Sequence, residues 1–392
     1  MWKRRFILAL IAPLAVVAAI ALMAKTPRRN DAADSAGNVK MRVLRDSAGR
    51  DIMIPQEVDT VICSGAGCLR LLTYLQAQRM IAAVDSIERH DSVIDARPYA
   101  LANPWFRAMP VFGEFRGQDS PERIAGLSPA PQVILKTFGT WGQDAGLLQK
   151  RTGIPVVLLD YGDIGVRRTQ LNDALLTMGE AIGRKQRAEE VVAFLDLLTD
   201  DLARRTHDAG GGPTCYIGGI AMRGMQGFHS TEPSYPPFEF VGARNVAGGF
   251  ADASAEISHA TVAREKIVSW NPEIIFLDLS TIRAGAGAGG LHELRNHPAY
   301  RDLTAVRNGR VYGVLPYNSY AANLGSVFAN AYFIGKVLYP YAFDDVDPAA
   351  KADEIYGFLL GEPVFEQMNE AFGGLVFRQI PVSEAEGDES SR

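Results

Sequence analysis

The run Cys63-Ser64-Gly65-Ala66-Gly67-Cys68 lies between an apolar strand and an apolar helix, so its backbone amides can face an anion at a helix start. Ser64 and Gly65 are its candidate contacts. The stretch from Met222 to Phe238 is the richest in polar and aromatic groups and holds Arg223, Phe228, His229 and Tyr235. A guanidinium there offers a forked donor to a carboxylate or catecholate oxygen, and the rings offer a flat wall. A similar stretch adds Tyr317, Asn318 and Tyr320, and Trp105, Arg107, Phe138 and Trp141 are the upstream counterparts. These residue types suit holding a ligand.

Motifs that would transform one are missing. No P-loop lysine signature and no GxSxG elbow occurs. Gly285 to Gly290 formally contains GxGxxG, but several residues separate it from the preceding strand, so it reads as a flexible surface loop. Cys63, Cys68 and Cys215 are too few for a disulfide scaffold and lack the paired spacing of a zinc site. His292 and His297 make one pair and no metal site. The sequence therefore assigns no catalytic residue, no resident metal and no cofactor. A Cys63–Cys68 disulfide is chemically permitted outside the cell, yet a bridge across a strand-helix corner demands exacting geometry.

The elements that must position these residues alternate. A hairpin, Met41 to Leu44 with Asp51 to Pro55, precedes a buried strand, Thr60 to Cys63, and a helix, Leu69 to Leu75. Met80 to Val84, a helix from Pro121 to Leu127, Val133 to Leu135, a helix near Gln143 to Arg151 and Val156 to Leu159 continue an α/β pattern with a largely parallel sheet. Leu171, Leu175, Met178 and Ile182 then share one helical face, Gly183 interrupts, and a helix from Arg184 to Arg205 is long enough to join two lobes. After the linker His207 to Pro213 the α/β grammar repeats, with strands Cys215 to Ile217, Ile274 to Leu277 and Val311 to Leu315. Helical segments lie around Pro237 to Val241, Val262 to Trp270 and Ala329 to Leu338.

At 392 residues, 47% hydrophobic and 22% charged, the chain can bury two or three cores, which excludes wholesale disorder and a multi-span membrane protein. A net charge of -5 supplies no basic footprint for nucleic acid. Lys3, Arg4 and Arg5 precede an uncharged run from Phe6 to Ala24, the pattern of an export signal. That run is either removed or kept as a membrane anchor with the body outside. The organisation is a signal or anchor over 1–24 and a tether over 25–40, followed by an N-terminal lobe over 41–163. Linking helices over 164–208, a C-terminal lobe over 209–380 and a disordered acidic tail over 381–392 complete it.

One phrase occurs in both lobes. Ser120-Pro121-Glu122-Arg123-Ile124-Ala125-Gly126-Leu127-Ser128-Pro129 and Arg264-Glu265-Lys266-Ile267-Val268-Ser269-Trp270-Asn271-Pro272 each lead into a strand, with a Glu near the helix start. An acid in the first turn suits the helix dipole, so capping explains each one alone. The pairing, the exported N-terminus and the run Ala305 to Tyr312 together resemble the class III substrate-binding proteins of bacterial ABC importers over about residues 41 to 380. The resemblance implies an α/β fold of two Rossmann-like lobes joined by one long rigid helix, with ligand in the cleft between them. It implies a periplasmic monomer that delivers a metal chelate, foremost a ferric siderophore, to an ABC permease dimer with its ATPase subunits. It also places Glu122 and Glu265 as permease-docking residues. Cobalamin, haem or an oxyanion such as molybdate as cargo, an exported α/β enzyme and an anchored sensor are the alternatives.

Overall fold

Runs of Val, Ile and Leu bounded by Gly, Ser and Pro set the strands, and apolar faces of helical period set the helices between them. A computed structural model of the chain describes residues 39–89, 95–250, 259–284 and 287–382. The signal or anchor over 1–24, nearly all of the tether, Gly285 and Ala286 of the glycine-rich run, and the tail from residue 383 lie outside the described residues.

The hairpin forms from β1 (Met41–Arg45) and β2 (Asp51–Pro55), antiparallel with Val43 opposite Met53. Leu44, Ile52 and Ile54 face the core while Met41, Val43 and Met53 face outward, the period-two pattern of a half-buried ribbon. Next come β3 (Val61–Ser64), α1 (Cys68–Tyr74), β4 (Ile81–Asp85), α2 (Pro98–Leu101), β5 (Val111–Glu114) and β6 (Gln118–Asp119). Then α3 (Pro121–Ala125), β7 (Val133–Thr137), α4 (Ala145–Thr152) and β8 (Val156–Leu159) complete the first lobe's sheet and its covering helices. The six strands run in the order β6-β5-β4-β3-β7-β8, parallel except for β6. The chain leaves β3 toward β4 on one side and returns to β7 on the other. Loops part at such a reversal, and a crevice opens at the carboxyl ends of the strands.

α5 (Arg168–Ala181) and α6 (Lys185–Thr206) follow. Ala188, Val191, Leu195, Leu198 and Leu202 form the buried stripe of α6 at alternating spacings of three and four, while charged residues cover its other side. Its 22 residues extend roughly 33 Å at the rise of an α-helix. Gly179 lets the two helices approach: a Cβ there would stand 2.6 Å from the Cβ of Ala188.

The second lobe contains β9 (Thr214–Gly218), β10 (Ser230–Thr231), α7 (Pro236–Phe240), β11 (Arg244–Asn245), β12 (Ala260–Thr261), α8 (Arg264–Trp270), β13 (Ile274–Asp278) and α9 (Gly289–Asn296). α10 (Thr304–Arg307), β14 (Val311–Val314), α11 (Leu324–Leu338), α12 (Pro348–Leu360) and α13 (Phe365–Ala371) end the described fold. Its four-stranded parallel sheet has the order β11-β9-β13-β14 and reverses between β9 and β13. α11 buries every residue from Leu324 to Gly335 and is the apolar centre of this lobe. The alternation of strands and helices read in the sequence thus forms the expected two-lobed α/β architecture. Among the elements not anticipated are β5 and β6, where Gly113 interrupts the apolar run and β6 has only two residues, the short α2, α9 and α10, the two-residue strands β10, β11 and β12, and the C-terminal helices α12 and α13.

Candidate functional site

Parallel strands deliver their following loops to one end of each sheet, so the candidate residues after β3 and β7 share one rim by topology and those after β9 and β14 share another. The structure closes the first of these loops. Ser64 Oγ donates to Asp119 Oδ2 at 2.9 Å, and Lys136 Nζ donates to the same oxygen at 2.8 Å and to Ser64 Oγ at 3.0 Å. All three side chains are buried. Gly65 has a left-handed φ of 88°, and a Cβ there would lie 2.5 Å from the Thr137 carbonyl, while the Tyr161 ring covers Gly67. Ser64 and Gly65 are therefore packed rather than open, which corrects the expectation that their turn faces an anion. Cys63 and Cys68 are free thiols, and burial beside Cys68 pushes the Cys63 thiol well up.

The loop after β14 crosses to the other lobe. Arg70, on α1, is fully buried and donates to four oxygens. They are Tyr161 Oη at 2.8 Å and the carbonyls of Ala322 at 3.0 Å, Ser319 at 2.8 Å and Tyr320 at 3.0 Å. Tyr161 Oη also donates to the Ala322 carbonyl at 2.9 Å. Tyr320 Oη donates to Asp85 Oδ2 at 2.5 Å and accepts from the Arg116 amide at 2.9 Å. Burial lifts the Asp85 carboxyl to about 7 against the opposing pull of that phenol bond. Tyr317 is buried behind the loop, its hydroxyl 2.5 Å from Glu232 Oε2, and burial lifts Glu232 to about 8. Asn318 is exposed and reaches the Ala221 carbonyl at 3.4 Å, which ties this loop to the one after β9.

That second loop divides. Arg223 is exposed, in a left-handed conformation with φ 54°, and its guanidinium makes no ion pair or hydrogen bond with the described residues. His229 is half-buried with Nδ1 3.7 Å from Glu293 Oε2. Phe228 and Tyr235 are corrections: both are fully buried. Phe228 packs edge-on against Tyr216 and Tyr300, and Tyr235 packs against Phe238 and Tyr317, so neither ring offers a face to a ligand.

On the first lobe, Phe138 stacks on Trp141 with ring centroids 4.8 Å apart and on Tyr161 at 5.5 Å, a ladder whose outer ring, Trp141, is 47% exposed. Gln143 N donates to the Gly117 carbonyl at 2.9 Å, which sets the ladder beside the β5–β6 turn. On that turn Arg116 lies over the Phe115 ring, and Phe115 faces Tyr320. Phe115, Arg116, Arg70 and Asp85 escaped the sequence reading; only the Phe-Arg pair beside Gly117 could have signalled an aromatic turn. One candidate, Trp105, sits elsewhere. The Arg79 guanidinium, just before the amino end of β4, covers the Trp105 ring at 4.9 Å, which draws Trp105 away from the carboxyl-end rim. Arg107 reaches Asp95 at 4.0 Å, beside the buried Arg97–Asp95 and Arg97–Glu88 pairs.

Glu122 and Glu265 are exposed in the first turns of α3 and α8. Glu122 pairs with Arg151 at 2.6 Å, and Ser120 accepts from the Arg123 amide at 3.3 Å as the helix cap. Among the described residues no group of three His, Cys, Asp or Glu side chains is placed to hold a metal. A hollow of about 440 Å³ is lined by Leu197, Asp201, Arg205, Tyr332 and Lys351, among others, and by none of the rim residues.

Two reversal-point sheets with converging loops and a long connecting helix define a class of two-lobed binding proteins. The periplasmic binding protein family matches residues 61–317, and the chain belongs to it, within the class III substrate-binding proteins of ABC importers. Its members are substrate-binding proteins that work with ABC permease and ATPase components, and the family places the chain in the periplasm. No curated protein matches the sequence. Among solved structures, a periplasmic solute binding protein from Veillonella parvula is similar at 15% identity and TM-score 0.64, over 85% of this chain and 97% of its own. The molybdate-bound MolA of Haemophilus influenzae is 19% identical, with TM-score 0.60 over 82% of this chain and 98% of that one. Ni(II)-bound CeuE of Helicobacter pylori is 15% identical, with TM-score 0.54 over 86% and 99%. At these identities the likeness is one of fold.

Proposed function

We propose that the chain captures a ferric siderophore-type metal chelate between its lobes and hands it to an ABC permease dimer, acting as an exported, non-catalytic monomer. The observations that carry this reading are an exposed Arg223 on one lobe, without an ion pair or hydrogen bond among the described residues, and a partly exposed aromatic and basic cluster of Trp141, Phe138, Phe115 and Arg116 on the other. An anionic chelate with flat aryl arms satisfies both a guanidinium and a ring face. His229, Asn318 and Tyr320 supply further polar contacts on the second lobe's loops. Residues 41–163 and 209–380 act as the two lobes and 164–208 as their link. Glu122 and Glu265 present one charge per lobe to the permease. The segment over 1–24 directs export, and the body is either released or held at the inner membrane by it.

Solved neighbours bind cargoes as unlike as molybdate and Ni(II), so the fold does not select the cargo and the rim must. Protein purified from the native periplasm, analysed by mass spectrometry and metal content, is expected to carry iron with an organic chelator. Molybdenum, cobalamin or haem in its place would refute the siderophore reading. Arg223→Ala is expected to weaken binding of a ferric tris-catecholate complex about tenfold or more, the effect of losing a hydrogen bond to a charged group.

A further inference from the structure

We infer that Arg70 is the positioning residue of the binding rim: it straps the second lobe's loop Tyr317–Asn323 onto the first lobe and fixes Tyr320 before cargo arrives. The role assigned to Tyr320 rests on the binding reading above; the strap itself does not.

A buried guanidinium in an apolar helix needs partners; among the described residues its own lobe supplies one hydrogen-bond acceptor, the Tyr161 hydroxyl, and the face of the Tyr99 ring at 5.1 Å. Its other three acceptors are backbone carbonyls of a loop 249 to 252 residues away. A fork of fixed geometry that takes three turn carbonyls dictates the path of the backbone, not merely its proximity. The path is unfavourable in itself. Tyr320 and Ala321 are both left-handed, with φ of 52° and 69°, and such non-glycine conformations persist only where the surroundings over-determine them. Tyr161 adds its bond to Ala322, and Asn323 Nδ2 donates to the Ala96 carbonyl at 3.3 Å, so first-lobe groups grip the loop along its length. Tyr320 is thereby presented at Asp85, Arg116 and the Phe115 ring, between the two lobes. A rim ordered in advance does not lose that freedom when ligand binds.

Hydrogen exchange read by mass spectrometry on the full chain tests the strap. Arg70→Lys keeps the charge but loses the fork, and Tyr161→Phe removes only a hydroxyl, so it serves if the first variant folds poorly. Amides of residues 318–323 are expected to exchange about tenfold faster in either variant, while amides of 191–202 in α6 stay as in wild type. Unchanged exchange in the loop, or equal acceleration in α6, would overturn the inference, the second because it marks general destabilisation. In the same proteins a ferric tris-catecholate complex, followed by tryptophan quenching, is expected to associate more slowly with Arg70→Lys. Equal association rates despite a loosened loop would overturn the pre-ordering of Tyr320. Wild-type protein that ignores this complex would refute the cargo reading, and the exchange result alone would then decide on the strap.

Discussion

Burial keeps Asp85, Glu232 and Asp278 protonated to about 7, 8 and 7, where exposed carboxyls are already ionised. In the unfolded chain each would lose its proton near pH 4. Between those values the folded state binds more protons, so stability is fully present below about pH 4 and falls as pH rises through 7 and 8. Asp201 and Asp345 are held below the usual carboxylate range by Arg205, and their contribution is lost only in acid. His259, lowered by burial, opposes the trend with a single group. Thermal midpoints are therefore expected to drop by several degrees from pH 5 to pH 8.5, and Glu232→Gln should flatten that slope. A midpoint that climbs across this range would contradict the assignment.

The same scale shows why the site was half legible. Arg223 and Trp141 stood out because guanidinium and indole in polar loops have few packing reasons to be there. Phe228 and Tyr235 looked alike in sequence, yet a Pro-rich loop that folds back can bury its rings, as both do here. Arg70 was invisible because it reads as a lone base within an apolar helix, and its partners are too distant along the chain for any local pattern to reveal.

At the scale of elements, local chemistry was enough for the long helices and the apolar strands, whose periods are intrinsic. Val156–Leu159 forms as read, and the helix read as Arg184 to Arg205 forms as Lys185–Thr206. β10 and β12 have two residues each and exist only through pairing with one another, a contact that no local period encodes. The junction of α5 and α6 separates two uses of glycine. Gly183 has φ 70° with open space beside it, so Gly183→Ala should lose only about 1–2 kcal/mol to left-handed strain. Gly179 has no such φ, but its missing Cβ admits Ala188 and the Arg184 carbonyl, so Gly179→Ala should force the helices apart. Denaturant unfolding is expected to show a loss of about 1–3 kcal/mol from this overpacking. A neutral Gly179→Ala would mean that α5 and α6 can slide at little expense.

For the whole molecule, a continuous α6 and a loop pinned across the lobes both argue for a body that presents its surface to a partner with little rearrangement. In the proposed docking role Glu122 and Glu265 would be two fixed charges, one in the first turn of a corresponding helix on each lobe. Glu122 already has Arg151 at 2.6 Å, so the proposed docking through it would exchange one exposed ion pair for another, a change of small net value. Exposed ion pairs contribute little singly, so either substitution alone should do little and the two together should weaken the complex noticeably. Glu122→Arg with Glu265→Arg should leave the melting temperature and cargo affinity nearly unchanged while uptake into cells falls. In the first lobe the reversal also sets a second guanidinium beside Arg151, so Glu122→Gln with Glu265→Gln, which adds no positive charge, should show the same pattern more weakly. Normal uptake in the double reversal, or a loss of cargo binding as large as the loss of uptake, would remove these two residues from the docking surface.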